Sequence, residues 1–343
     1  MPKHPFDPPR GRIERLRIDS AALAANLLGD PSTRTVDVYL PPGYDDSDET
    51  YPLFVALAGF TGSGLKLHAW QGFAESVPQR VDRLVAGGAM GPVVLVFLDG
   101  FTSLGGNQYV DSEALGPWEA FLLDEMIPAI ETRFRVIEDP RSRAVFGKSS
   151  GGYGALIHGL KHADSWGAVA CHSGDMGFET IYLRDFPRVL GALARFDGDP
   201  AGFVRDVRQA EQVSGDQMCV LMLLAMAASY DPDPSRPFGI RLPVDPFTGE
   251  TIDERWSRWL EHDPLCLIEN DDCRAALASL RGLFIDCGRQ DQYYLQYPAR
   301  VFTRRLGELG ITHTYEEFDG THSGIDHRMD RSLPFLYKAV TSG

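Results

Sequence analysis

The heptapeptide Phe146-Gly147-Lys148-Ser149-Ser150-Gly151-Gly152 joins two different patterns. Ala144 to Phe146 is strand-like, and Ala155 to Leu160 continues a helix behind the motif. Between them lies G-x-S-x-G. A serine on a sharp strand-to-helix turn needs small residues two positions either side, because larger side chains there would collide with the neighbouring strand and helix. Such a turn presents Ser149 Oγ at the end of a sheet and aims the following amide, that of Ser150, at an acyl oxygen. Ser149 is therefore the candidate nucleophile.

Working outward, strand and helix patterns alternate. Arg12 to Ile18 and Arg34 to Leu40 read as strands that can form an antiparallel edge, and Pro41-Pro42-Gly43 stops the second. Leu53 to Leu57 and Val93 to Leu98 are continuous apolar runs of the kind buried on both faces of a sheet. Helical patterns cover Ala74 to Ala86 and Trp118 to Phe134, the second placing Phe121, Leu122, Met126, Ile127 and Ile130 on one face. Trp166 to Cys171 is another strand. The rhythm resumes with strand Leu283 to Asp286, helix Pro298 to Leu309, strand His313 to Phe318 and helix Arg331 to Val340. The class expected is α/β, a mostly parallel central sheet flanked by helices. From about 174 to 273 the rhythm fails over too long a span for a loop. That stretch is expected to be a largely helical insertion, or cap, between strands 6 and 7, leaving 1–173 and 274–343 as the catalytic domain.

A nucleophile on such a turn takes its acid and base from loops after later strands, in the order serine, acid, histidine. Leu283-Phe284-Ile285 runs into Asp286-Cys287-Gly288-Arg289-Gln290-Asp291. Asp286 sits at the strand end; Asp291, past the Gly288 turn, is placed to reach across the sheet and is preferred. His322, in Phe318-Asp319-Gly320-Thr321-His322-Ser323-Gly324, follows the last strand and is the candidate base; His313 and His327 are less well placed. The loop Leu57-Ala58-Gly59-Phe60-Thr61-Gly62-Ser63-Gly64 is expected to supply the second oxyanion donor, from the Phe60 amide or its neighbour Thr61. Thr61, Lys148 and His172 are candidates to line the pocket, His172 being equally readable as a satisfied loop residue. Met222, Leu223, Met226 and Trp256 are possible apolar contacts from the insertion, with core packing the stronger reading for each.

Composition narrows the partners. The 343 residues are 43% hydrophobic and 24% charged, enough for a large core, and the formal net charge of -15 repels nucleic acid and anionic membranes. Met1 to Arg17 lacks the apolar core of a signal peptide. The most apolar run, Met218 to Ala228, is about half of the roughly twenty residues that a membrane-spanning helix needs. Five scattered cysteines without paired spacing read as reduced thiols in a cytoplasmic protein, with no metal or organic cofactor expected. The expected partner is a small-molecule ester, and a homodimer stays open.

The sequence resembles the esterase D or "putative esterase" branch of the α/β-hydrolases, which includes S-formylglutathione hydrolases, feruloyl and acetylxylan esterases, enterochelin esterase-like proteins and mycolyltransferases. The resemblance rests on Val38-Tyr39-Leu40-Pro41-Pro42-Gly43-Tyr44, Gly59 to Gly62, Gly106-Asn107-Gln108-Tyr109-Val110-Asp111-Ser112, Gly147 to Ala155, Gly288 to Asp291, and Gly320-Thr321-His322. It implies the α/β-hydrolase fold, a triad of Ser149, Asp291 and His322, and oxyanion donation from the Phe60 and Ser150 amides. A cysteine that S-formylglutathione hydrolases carry in a Leu-Thr-Cys-Thr loop is replaced here, where the loop reads Phe60-Thr61-Gly62-Ser63. The expected activity is ester hydrolysis through an acyl-enzyme. The alternatives are an acyltransferase with the same triad and a catalytically silent binding protein.

Overall fold

Eight strands form one sheet in this computed structural model, which describes residues 6–342. In chain order they are β1 (Arg12–Asp19), β2 (Thr33–Leu40), β3 (Leu53–Leu57), β4 (Val94–Leu98), β5 (Arg143–Lys148), β6 (Ala168–His172), β7 (Gly282–Gly288) and β8 (Thr314–Phe318). Their spatial order is β1-β2-β4-β3-β5-β6-β7-β8. β2 runs antiparallel to both neighbours and every other pairing is parallel. The expected antiparallel edge is thus β1 on β2, and β1 carries the charged side chains that discourage further pairing.

β3, β4, β6 and β7 are buried along their whole length because helices cover both faces. On one face α1 (Val77–Ala86) and the C-terminal helix Met329–Thr341 pack on Phe54, Leu95, Phe97 and Phe146. On the other, the continuous helical stretch Trp118 to Arg133, α2 (Ser150–Lys161) and Gln296–Glu308 pack on Val55, Val96 and Val145. α1 starts at Val77 rather than Ala74. Ser76 accepts the Gln79 N–H and the Gln79 side chain accepts the Ser76 N–H, a reciprocal cap that fixes the start.

Between β6 and β7 the named elements are all helical. α3 (Gly215–Tyr230) is capped by Ser214 and Gln217 and buries every residue from Leu223 to Tyr230. A helix apolar on all sides must be enclosed. Its enclosure includes an aromatic cluster in which Tyr230 lies 5.0 Å from Phe178 and 5.3 Å from Trp259, centroid to centroid. No helix among the described residues is long and apolar enough to cross a membrane.

Candidate active site

The turn between β5 and α2 places Ser149 at φ 58° and ψ −127°, a strained conformation for a residue with a side chain. Two backbone bonds hold it there: Ser149 N–H donates to the His172 carbonyl at 2.9 Å, and Tyr153 N–H to the Ser149 carbonyl at 2.8 Å. The flanking glycines have a steric reason. A Cβ on Gly151 would sit 2.1 Å from the Leu57 carbonyl oxygen, and one on Gly147 2.5 Å from the Gly151 backbone. Only hydrogen at both positions lets α2 approach β3 and β5 this closely.

Asp291 and His322 meet across the loops that follow β7 and β8. His322 Nδ1 donates to Asp291 Oδ2 at 2.8 Å, with both residues buried. The other carboxylate oxygen accepts the Tyr293 N–H at 2.9 Å, which fixes the carboxylate plane. Gln292 accepts the His322 backbone N–H at 2.9 Å, and the Tyr293 ring meets the imidazole at 4.8 Å and 81°. With Nδ1 committed to a carboxylate, Nε2 is the nitrogen left to act as a base. His322 and Ser149 line one cavity.

Asp286 is occupied elsewhere: it accepts from His172 Nδ1 at 2.7 Å and Arg328 Nε at 2.8 Å. The reading of His172 as a pocket residue is corrected here. Its Nε2 lies 2.8 Å from Ser332 Oγ, it is 1% exposed, and it does not line the cavity. A strand-end histidine with both ring nitrogens bonded ties β6 to β7 and to the C-terminal helix. His313, just before β8, accepts no role either, its Nδ1 bonding the Ile311 carbonyl at 2.8 Å.

The loop after β3 packs directly on the serine turn, since a Cβ on Gly59 would lie 3.1 Å from the Lys148 carbonyl oxygen. Gly62 N–H closes onto the Gly59 carbonyl at 2.9 Å, and Gly106 N–H onto the Phe60 carbonyl at 2.7 Å. Neither bond uses the Phe60 amide. Ser150 opens α2, so its N–H has no helical carbonyl to bond. Two residues that sequence reasoning left without a role brace this arrangement. Tyr109 O–H donates to the Ala58 carbonyl at 2.8 Å, and Gln108 Nε2 donates to Ser150 Oγ at 2.8 Å while accepting from Tyr230 at 3.2 Å. Their signal was the run Gly106 to Ser112, legible as a matching stretch but not as a brace.

The cavity holds about 500 Å³. Thr61 and Lys148 line it, and the segment between β6 and β7 contributes Ile181, Tyr182, Met218, Cys219 and Met222. Of the four apolar contacts considered from the sequence, Met222 reaches the cavity, whereas Leu223, Met226 and Trp256 are packed in the core. Asp175, buried at the cavity wall, has its carboxyl pushed up to about 6 by burial, against the Tyr182 hydroxyl bonded to it at 2.9 Å. Burial likewise lowers the Lys148 ammonium. Among the described residues no cluster of His, Cys, Asp and Glu has the arrangement of a metal site.

Comparison with known proteins gives consistent neighbours. The family described as "Putative esterase" matches residues 31–329. Esterase Rv1288 of Mycobacterium tuberculosis (strain ATCC 25618 / H37Rv) is 32% identical over 158 residues, covering 45% of this chain and 31% of that protein. An endo-1,4-beta-xylanase/feruloyl esterase of Xylanibacter ruminicola is 29% identical over 147 residues, 41% of this chain and 19% of that protein. The chain thus spans less than a third of the length of these curated relatives. A solved ferulic acid esterase superposes with a TM-score of 0.60 at 21% identity, over 96% of this chain and 98% of that one, which shows the α/β-hydrolase fold.

Proposed function

The chain belongs to the "Putative esterase" family, and on that premise we propose that it is a serine hydrolase cleaving carboxylic esters, with Ser149, His322 and Asp291 as its triad. The observation that carries this reading is the 2.8 Å bond from His322 to Asp291 beside a cavity that Ser149, on its strained turn, also lines.

His322 Nε2 takes the Ser149 proton as Oγ attacks the ester carbonyl, and Asp291 stabilises the imidazolium that forms. The tetrahedral oxyanion accepts from the Phe60 and Ser150 amides, donors held in place before the reaction by Tyr109, Gln108 and the Gly106 amide. Collapse expels the alcohol, protonated by His322. Water, deprotonated by the same histidine, then releases the acid from Ser149. Five free thiols support a cytoplasmic setting, and the substrate is a small molecule on the scale of the cavity.

The test is hydrolysis of p-nitrophenyl acetate, butyrate and octanoate by the wild type and Ser149→Ala. A loss of at least about three orders of magnitude in kcat supports the assignment. Equal, slow rates for both proteins would sink it. The chain-length profile measures the acyl end of the cavity.

A further inference from the structure

Two lysines reach the cavity without a carboxylate in ion-pair contact. Lys148 is the last residue of β5, one position before Ser149, and it is half-buried. Lys66 lies on the short helix Gly64–His68 after the loop that carries Phe60, with its Cδ 3.4 Å from where a Cβ on Gly62 would stand. Among the described residues neither ammonium has a carboxylate within 4.0 Å. Lys66 also raises the cost of charging Lys148.

The remaining charges at the wall are largely committed. Arg80 is taken by Glu75 at 3.3 Å and by Asp330. Asp185 faces Arg184 at 3.7 Å, and Asp175 accepts from Tyr182. The fields of Asp326, at the wall, and of Asp291, behind His322, favour charged Lys148, neither of them in contact with it. A half-buried ammonium with no contacting counterion, beside a second, exposed ammonium at the same cavity, attracts an anion, because the ligand restores the solvation that burial removed from Lys148.

We propose that Lys148 and Lys66 form an anion subsite, so that the preferred ester carries a carboxylate beside the scissile bond. This rests on the esterase reading above. The lysines are specificity residues: the anion docks on them while Ser149 attacks the carbonyl.

The experiment uses matched pairs of esters. On the acyl side p-nitrophenyl hemiglutarate is compared with p-nitrophenyl pentanoate; on the alcohol side 4-acetoxybenzoate is compared with 4-acetoxybenzamide. Rates are normalised to alkaline hydrolysis. The wild type should prefer the anion of at least one pair about tenfold in kcat/KM, mostly through KM, and the preference should shrink with added salt. Lys148→Met and Lys66→Met should each cut that ratio, and Lys148→Arg should restore it. A wild-type ratio near one for both pairs, or an unchanged ratio in both methionine variants, overturns the subsite. Binding of the same esters to Ser149→Ala, followed by calorimetry, needs no turnover; equal affinity within each pair also overturns it. Failure of neutral p-nitrophenyl esters to react counts instead against the esterase reading.

Discussion

His322 Nδ1 lies 2.8 Å from Asp291 Oδ2, while Asp286, five residues earlier and near the end of β7, bonds His172 and Arg328. Two aspartates five residues apart, one within β7 and one in the loop after it, therefore face opposite demands. One holds His322, which lines the cavity, and the other clamps the sheet to the C-terminal helix through Arg328 and the His172–Ser332 contact. Separating these jobs lets the first be optimised for geometry without loosening the second.

That division predicts contrasting variants. Asp291→Asn should fold normally and lose about four orders of magnitude in kcat, since an amide no longer holds the required imidazole tautomer. Asp286→Ala removes the buried carboxylate shared by His172 and Arg328, leaving His172 with Ser332 and Arg328 with Glu316, and should cost about 3 kcal/mol of unfolding free energy. Its folded fraction should keep far more activity than Asp291→Asn. Urea melts alongside initial rates measure both, and the reverse pattern would exchange the two roles.

Gly151→Ala tests the serine turn. The added methyl would meet the Leu57 carbonyl at 2.1 Å, which is backbone and cannot rotate away. We expect a destabilisation at or above about 3 kcal/mol, the upper end of ordinary overpacking, with activity lost. Near-normal stability and turnover would mean that α2 can shift without penalty.

Gln108→Met should weaken the brace while preserving the shape of the side chain. Ser150 Oγ loses its donor and the Tyr230 hydroxyl loses its acceptor, both buried. The expected cost is about 1–3 kcal/mol of stability. A roughly tenfold fall in kcat should accompany it if the Ser150 amide is an oxyanion donor. Unchanged kcat in a destabilised variant would limit Gln108 to a packing role.

The pH dependence of Asp175→Asn is set by sign. The folded carboxyl, pushed up to about 6 from 3.8, holds its proton more tightly than the unfolded one. Native Asp175 is therefore least costly below the unfolded value, and stability falls as pH rises through about 6. Asn keeps an acceptor for Tyr182 and removes the buried charge. The variant should be more stable than wild type above pH 6, by up to about 3 kcal/mol, and the gain should vanish near pH 4. Thermal melts at pH 4.5 and 7.5 suffice; a gain equal at both values would assign the effect to something other than ionisation.

Legibility divided along a physical line. The serine turn, the buried strands and the alternation into a mostly parallel sheet were readable because each depends on near neighbours in the chain: side-chain period, turn sterics and the glycines around Ser149. The start of α1 at Val77 was readable in principle too, through Ser76 and Gln79, although the apolar pattern alone placed it three residues early. Position suggested Asp291 over Asp286, but their partners were settled by contacts across 31 and 114 residues of chain. The same holds for His172, which the fold turns into a clamp, and for Gln108, which joins Ser150 to Tyr230 over 42 and 122 residues. A sequence carries local period and local sterics directly. Which polar groups remain unbonded at a cavity wall depends on where every other polar group has found its partner, and that is decided only when the sheet, its helices and the segment between β6 and β7 have packed together.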